Sequence, residues 1–132
     1  MAYLRPNLFE RLVFNSLAMK FGFGGAGTLT VRGRQSGIDR KAPVIPVELA
    51  GKRYLVSTRG NAGWVRNLRA AGGRGELTVK GKTMSFLAAE IPLEERKPLI
   101  EAYRKVAGKT VARYWKALPG DADHPVFRLD PS

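Results

Sequence analysis

The spacing of apolar positions changes along the chain, and each change marks a different kind of element. Over residues 4–21, Leu8, Phe9, Leu12, Val13, Ser16 and Leu17 fall near one stripe at helical spacing, with Glu10, Arg11 and Asn15 elsewhere. Asn7 stands where a cap belongs, and the glycines from Gly22 to Gly27 end the pattern. An amphipathic N-terminal helix packed on the core is expected. The period then shortens to two, and strands are expected at 28–32, 42–49, 53–58, 75–80, 83–90 and 125–129. Val44, Ile45 and Val47 make the second of these apolar, but Pro43 and Pro46 argue for an edge position or an irregular start. Ala50-Gly51-Lys52 and Gly81-Lys82 supply turns, and the last strand sends Val126 and Arg128 to one side, Phe127 and Leu129 to the other. Short strands joined by tight turns favour an antiparallel sheet, closing into a small barrel.

Helical spacing returns three times. Residues 61–71 place Trp64 and Leu68 on one face and Arg66 and Arg69 on the other, with Asn61 as the expected cap and Gly72-Gly73 as the stop. Asn67 flanks the apolar side, so it is a buried amide that must find partners. Residues 93–107 carry Glu94 and Glu95 near the start and Arg104 and Lys105 near the end, matching the helix dipole, and Pro98 moves the regular start inward. Residues 110–118 form a shorter helix edged by Val111, Tyr114 and Leu118. With neither an internal repeat nor a low-complexity linker, 1–132 reads as one domain, mainly β with flanking helices.

Charge narrows the class of partner. The formal net charge is +12, which implies an anionic partner: nucleic acid, a membrane surface, or a ligand bearing phosphates and carboxylates. No acid occurs between Glu48 and Glu76, a stretch holding Lys52, Arg53, Arg59, Arg66, Arg69 and Arg74. If folding sets this stretch beside Arg34, Arg40 and Lys41, one positive cleft results. Other chemistry is thin. There is no cysteine, and the carboxylates show no metal-ligand spacing. Ser36, Ser57 and Ser85 have neither an elbow motif nor an evident base. His124, the single histidine, is expected to be exposed or locally bonded rather than catalytic. With no long apolar stretch and no secretory pattern at the start, a cytoplasmic location is expected. The stripe over 4–21, bracketed by Arg5, Arg11 and Lys20, also suits weak, reversible contact with the inner, anionic face of the cell membrane.

One segment gathers features that suit a single task. In "VRGRQSGIDRKAP", residues 31–43, Gly33 and Gly37 frame Arg34-Gln35-Ser36. Small residues let backbone N–H groups approach an anion, Ser36 adds a hydroxyl, and Arg34 and Arg40 can fork onto phosphate oxygens. The spacing is neither that of a Walker loop nor that of a dinucleotide fingerprint. On the residues alone an anion cradle, a solvated hairpin and a nucleic-acid contact all stay open. The last is motivated by Arg53, Tyr54, Arg59, Trp64 and Arg66, but no recognised nucleic-acid motif accompanies them, so no nucleic-acid partner is expected.

"TLTVRGRQSGIDRKAPVIPVELAGKRYLVSTRG" followed by "WVRNLRAAGG" resembles the deazaflavin-dependent oxidoreductases of the nitroreductase family, actinobacterial proteins with an FMN-binding-like split β-barrel. The likeness runs from about Thr28 to Gly81, and the closing "HPVFRL" is similar as well. The resemblance implies hydride transfer from reduced 8-hydroxy-5-deazaflavin (coenzyme F-420) to an electron-poor acceptor such as a quinone, a nitroaromatic or an activated enone. It implies that the coenzyme's phosphate and polyglutamate tail lie against Arg34, Gln35, Ser36 and Gly37, joined by Arg40 and Lys41. Gln35 stands where many relatives have lysine, so one cation is missing. Ser57, Thr58, Arg59 and Gly60 would border the ring and phosphate, and Trp64 and Asn67 match the helix motif beside it. A slot in the barrel mouth is expected for the ring, with Tyr103 or Tyr114 as candidates to line the acceptor pocket or donate a proton. Relatives sharing the barrel use FMN or bind lipid-like ligands, which leaves FMN as the less favoured cofactor. Monomer and homodimer both stay open.

Overall fold

A computed structural model describes residues 26–132; the helix expected over 4–21 lies outside the described residues. Seven strands follow one another as β1 (Gly27–Arg32), β2 (Asp39–Val44), β3 (Val47–Leu49), β4 (Lys52–Val56), β5 (Arg74–Val79), β6 (Lys82–Glu90) and β7 (Val126–Pro131). All pair antiparallel in one sheet of order β2-β1-β5-β6-β7-β4-β3. The single strand expected over 42–49 is in fact two. Ile45-Pro46 breaks it, because proline cannot donate to a ladder and turns the chain out of the sheet. The two strands it separates are the opposite edges of the sheet, yet only these two residues join them. The sheet must therefore curl until its edges meet at that corner, which gives an antiparallel split barrel.

Strand alternation divides the apolar side chains between two cores. Leu29, Val31, Leu55, Leu77, Phe86, Phe127 and Leu129 fill the barrel interior, closed over by Ala62, Val65 and Leu68 around the helix α1 (Gly63–Ala70). On the outer side, Val47, Val56 and Val126 pack under α2 (Lys97–Ala107) and α3 (Ala112–Ala117) through Ile100, Tyr103, Tyr114 and Trp115. Neighbours Val126 and Phe127 thus serve different cores, as the alternation in the sequence requires. The helix expected over 93–107 starts as a short 3-10 turn, Leu93–Glu95, and becomes regular at Lys97, with Pro98 in its first turn where the missing N–H costs nothing. The hairpin turns at Ala50-Gly51 and Lys80-Gly81 hold both central residues at positive φ, which matches the twist of the strands they join.

Two details of α1 bear on the site. Asn61 does not cap it; the cap position is Ala62 and has no side-chain bond. The Asn61 side-chain Oδ1 instead accepts a bond from Arg69 Nη1 at 2.9 Å. Arg69 also grips Glu90 through two bonds of 2.9 and 2.7 Å, and Arg96 reaches the same carboxylate at 3.3 Å. This clamp ties the end of α1 to the end of β6 and to the residues leading into α2.

Candidate functional site

The β1–β2 turn is built to expose its backbone. Gly33 N–H donates to Ile38 O at 2.9 Å, and Gly37 N–H donates to Gly33 O at 3.0 Å. A Cβ on Gly33 would lie 2.9 Å from both Ile38 O and Ser36 Oγ, and Gly37 sits at φ +73°, so neither position suits another residue. Ser36 Oγ accepts from Ile38 N at 3.2 Å, which pins the hydroxyl inside the turn. The N–H groups of Gln35 and Ser36 carry no intramolecular bond among the described residues.

Asn67 joins this turn to the helix. Its Oδ1 accepts from Arg34 N at 3.2 Å and from Arg34 Nη1 at 2.7 Å. The buried amide thus finds its partners on the Gly-Arg-x-Ser-Gly segment, 33 residues away in sequence. A long cationic side chain that would otherwise sample many rotamers is held in one direction, so less ordering entropy remains to be lost on binding. Two adjoining recesses open here: one of about 400 Å³ over the turn and Ala70-Ala71, and one of about 180 Å³ reaching Arg40 and Asn67. No acid lines either.

The remaining basic residues do not all arrive at this place. Residues directly opposite in an antiparallel pair share a face. Arg40 opposes the inward-facing Val31, whereas Lys41 opposes Thr30 on the outer face, away from the recess. Arg53 pairs with Glu48 at 3.2 Å and lines, with Lys52, a separate hollow at the far end of the barrel. Arg69 is committed to Glu90, and Arg74 lies in an outer groove with Asp39 and Glu76. Of the basic residues expected to form a single positive cleft, those lining the recesses are Arg34 and Arg40; Arg66 is exposed on α1 but lines neither recess.

The segment 57–60 lies before the start of α1, whereas the recesses lie along its second half. Ser57 is fully engaged: Oγ donates to Gly60 O at 2.7 Å, N donates to Pro125 O at 2.9 Å, and O faces His124 Nδ1 at 2.8 Å. Thr58 and Gly60 are buried, Arg59 is half-buried, and Gly60 sits at φ +71°. Trp64 is half-buried, with its edge on Phe127 at 5.8 Å between centroids. The barrel mouth is not a slot: Leu29, Leu55, Leu68, Leu77 and Phe86 are each at most 1% exposed, so side chains fill the interior. Tyr103 and Tyr114 are buried in the outer core. A flat ligand touching both segments must lie outside the barrel along α1, which at eight residues spans about 12 Å. The residues fit an anionic group at the recess: Arg34 and Arg40 bring two cations, the Gln35 and Ser36 N–H groups are open donors, and no carboxylate opposes them.

A sequence profile of the family described as F420H(2)-dependent quinone reductase matches residues 16–121. The chain belongs to that family. It is accordingly an oxidoreductase, and its cofactor is the deazaflavin coenzyme F-420. No curated protein matches the chain. Among solved structures, an F420-H2-dependent reductase (FDR-A) is 25% identical with a TM-score of 0.61, over 80% of this chain and 94% of the other. A chain described as a domain-swapped dimer is also 25% identical, with a TM-score of 0.62 over 80% of each chain. A FAD-binding protein from Mesorhizobium loti, 17% identical with a TM-score of 0.56 over 81% and 80%, shares the fold. A deazaflavin-dependent oxidoreductase was legible in the two motifs. What the motifs did not reveal is that they touch, through Asn67.

Proposed function

We propose that the recess over Arg34 receives the phosphate and the start of the polyglutamate tail, and that the coenzyme runs along α1 toward Ser57–Gly60, where its ring lies beside Trp64. The observation that carries this reading is the pair of bonds that Arg34 donates to Asn67 Oδ1, which holds a guanidinium beside a recess free of acids. Arg34 and Arg40 bind oxygens, the open N–H groups of Gln35 and Ser36 add two more donors, and Arg66 continues the positive track along the helix. Bound there, the reduced deazaflavin supplies the hydride, so no nucleophile is asked of the chain. The chain's part is to orient the ring face and keep water from it. Trp64 covers one side, and the bonds within Ser57–Gly60 hold the loop that borders it. The acceptor is a small electron-poor molecule, a quinone before a nitroaromatic or an activated enone.

Lys41, on the outer face, takes no part in this recess. Gln35 contributes its backbone rather than a cation, so the tail is held by fewer charges than the motif usually carries. The described neighbour that is a domain-swapped dimer supports a homodimer, which sedimentation at two protein concentrations tests.

Calorimetry with reduced coenzyme F-420 and with FMN tests the cofactor assignment. Tighter binding of the deazaflavin is expected, and tighter binding of FMN would overturn it. Quinone reduction, followed by loss of the reduced coenzyme's absorbance, then tests the acceptor.

A further inference from the structure

His124 presents a hydrogen count that a neutral ring cannot satisfy. It is fully buried, with Nδ1 2.8 Å from Ser57 O and Nε2 2.7 Å from Leu118 O. Carbonyl oxygens only accept, and a neutral imidazole has one N–H. Either neutral tautomer would therefore press a nitrogen lone pair against a carbonyl at hydrogen-bond distance. Both contacts are bonds only when both ring nitrogens carry hydrogen. The Trp115 indole lies nearly parallel to the ring, 4.1 Å between centroids and 13° between planes, and its π face suits a cation.

We propose that His124 acts as a doubly protonated clamp, a positioning residue that fastens the Ser57–Gly60 loop to the chain leaving α3. One end of the clamp is Leu118, bonded back to α3 through its N–H to Tyr114 O at 2.8 Å. The other is Ser57, whose hydroxyl carries the constraint on to Gly60. The consequence for cofactor binding rests on the reading that this loop borders the ring. The charged groups on the surrounding elements are Asp121 and Asp123 in the turn before His124, Arg113 and Lys116 on α3, Arg59 in the loop, and Lys97, Glu101, Arg104 and Lys105 on α2, with Arg104 over the Trp115 ring at 5.0 Å. None forms an ion pair with the imidazole among the described residues. The ring is answered by carbonyl dipoles and an aromatic face, and among the described residues no carboxylate is bonded to it.

The chain has a single histidine, so its ring ¹⁵N signals are unambiguous. They are followed through a pH titration of the full chain, with coenzyme F-420 affinity measured at each pH for the native protein and for His124→Gln. Hydrogen on both nitrogens of the folded protein is expected. Affinity should fall several-fold as the second proton leaves, and His124→Gln should bind several-fold more weakly without that pH step, since a carboxamide offers one donor nitrogen to two carbonyls. A bare ring nitrogen throughout the folded range overturns the clamp, as does affinity that stays level while the ring titrates. If the ring keeps both hydrogens at every pH, the clamp stands, and native affinity in His124→Gln would overturn its positioning role. Should that variant not fold, the native titration decides alone. Failure of the coenzyme to bind at any pH defeats the proposed function, while the nitrogen signals still decide the clamp.

Discussion

Arg34 and Asn67 make the residue-scale case, because each depends on the other. Replacing Arg34 with Ala removes a charged hydrogen-bond donor from the recess and should weaken coenzyme binding by about 1.5–3 kcal/mol. Asn67→Ala leaves the guanidinium in place but untethered, so a smaller loss is expected. The double variant should lose less than the sum, with a coupling of about 0.5–3 kcal/mol in a calorimetric cycle. Strict additivity would mean that the Asn67 bond does not serve binding. Lys41→Ala should leave affinity near native, since Lys41 shares a face with Thr30, and Lys52→Ala is the control at the far end of the barrel. The need of Asn67 for partners was legible from its place beside an apolar helical stripe; which residue would supply them was not, since helical spacing says nothing about a turn 33 residues earlier. His124 was harder still. A lone histidine in a connecting segment gives no periodic signal, and its two carbonyls come from Ser57 and Leu118, on separate parts of the chain.

At the scale of elements, the β1–β2 turn and the helix α1 are separately testable. Gly37→Ala forces a Cβ into left-handed backbone at φ +73°, costing about 1–2 kcal/mol of stability or distorting the turn that carries Arg34. Thermal melting and coenzyme titration together separate these outcomes: a lower melting point with native affinity means strain alone. Glu90→Gln tests the clamp at the end of α1. It weakens the carboxylate's bonds to both Arg69 and Arg96, and a lowered melting point is expected, with the larger contribution from the two-pronged Arg69 bond. The hydrogen bonds to Glu90 hold Arg69 further on its charged side. Most elements were readable because their periods are those of half-buried strands and helices. The split of 42–49 and the absent Asn61 cap were not, because both follow from tertiary partners: the sheet's two edges in one case and Arg69 in the other.

The chain is strongly basic, yet among the described residues its charges are scattered around the barrel rather than gathered in one trough. Coenzyme affinity should therefore fall with added salt, as screened attraction to a polyanionic tail requires, while duplex or single-stranded nucleic acid should bind weakly at physiological ionic strength. Micromolar nucleic-acid binding that persists when the coenzyme saturates the protein would contradict this. Acid stability offers a second global measure. Asp130 is held below the ordinary carboxylate range, first by its hydrogen bond from Arg128. A depressed carboxyl stabilises the fold above its unfolded range and loses that contribution as pH falls, so Asp130→Asn should flatten the acid side of a melting-point profile slightly, the pair being exposed. No helix among the described residues is long and apolar enough to cross a membrane. Co-sedimentation of the full chain with anionic vesicles, against a chain starting at Gly22, tests peripheral contact; it should depend on residues 1–21 if it occurs.

The two-residue link at Ile45-Pro46 gives this barrel an unusual seam. Its outermost strands are kept together there by covalent continuity, where a closed barrel would use a ladder of hydrogen bonds. A cut at that link should therefore act as an unlatching, letting the rolled sheet open from its edges and carrying the Arg34 turn away from α1. A cut in the hairpin at Ala50-Gly51, where β3 and β4 remain paired on both sides, should leave the roll closed. Limited cleavage at engineered protease sites in the two places, followed by coenzyme titration, would show which breaks the barrel tolerates.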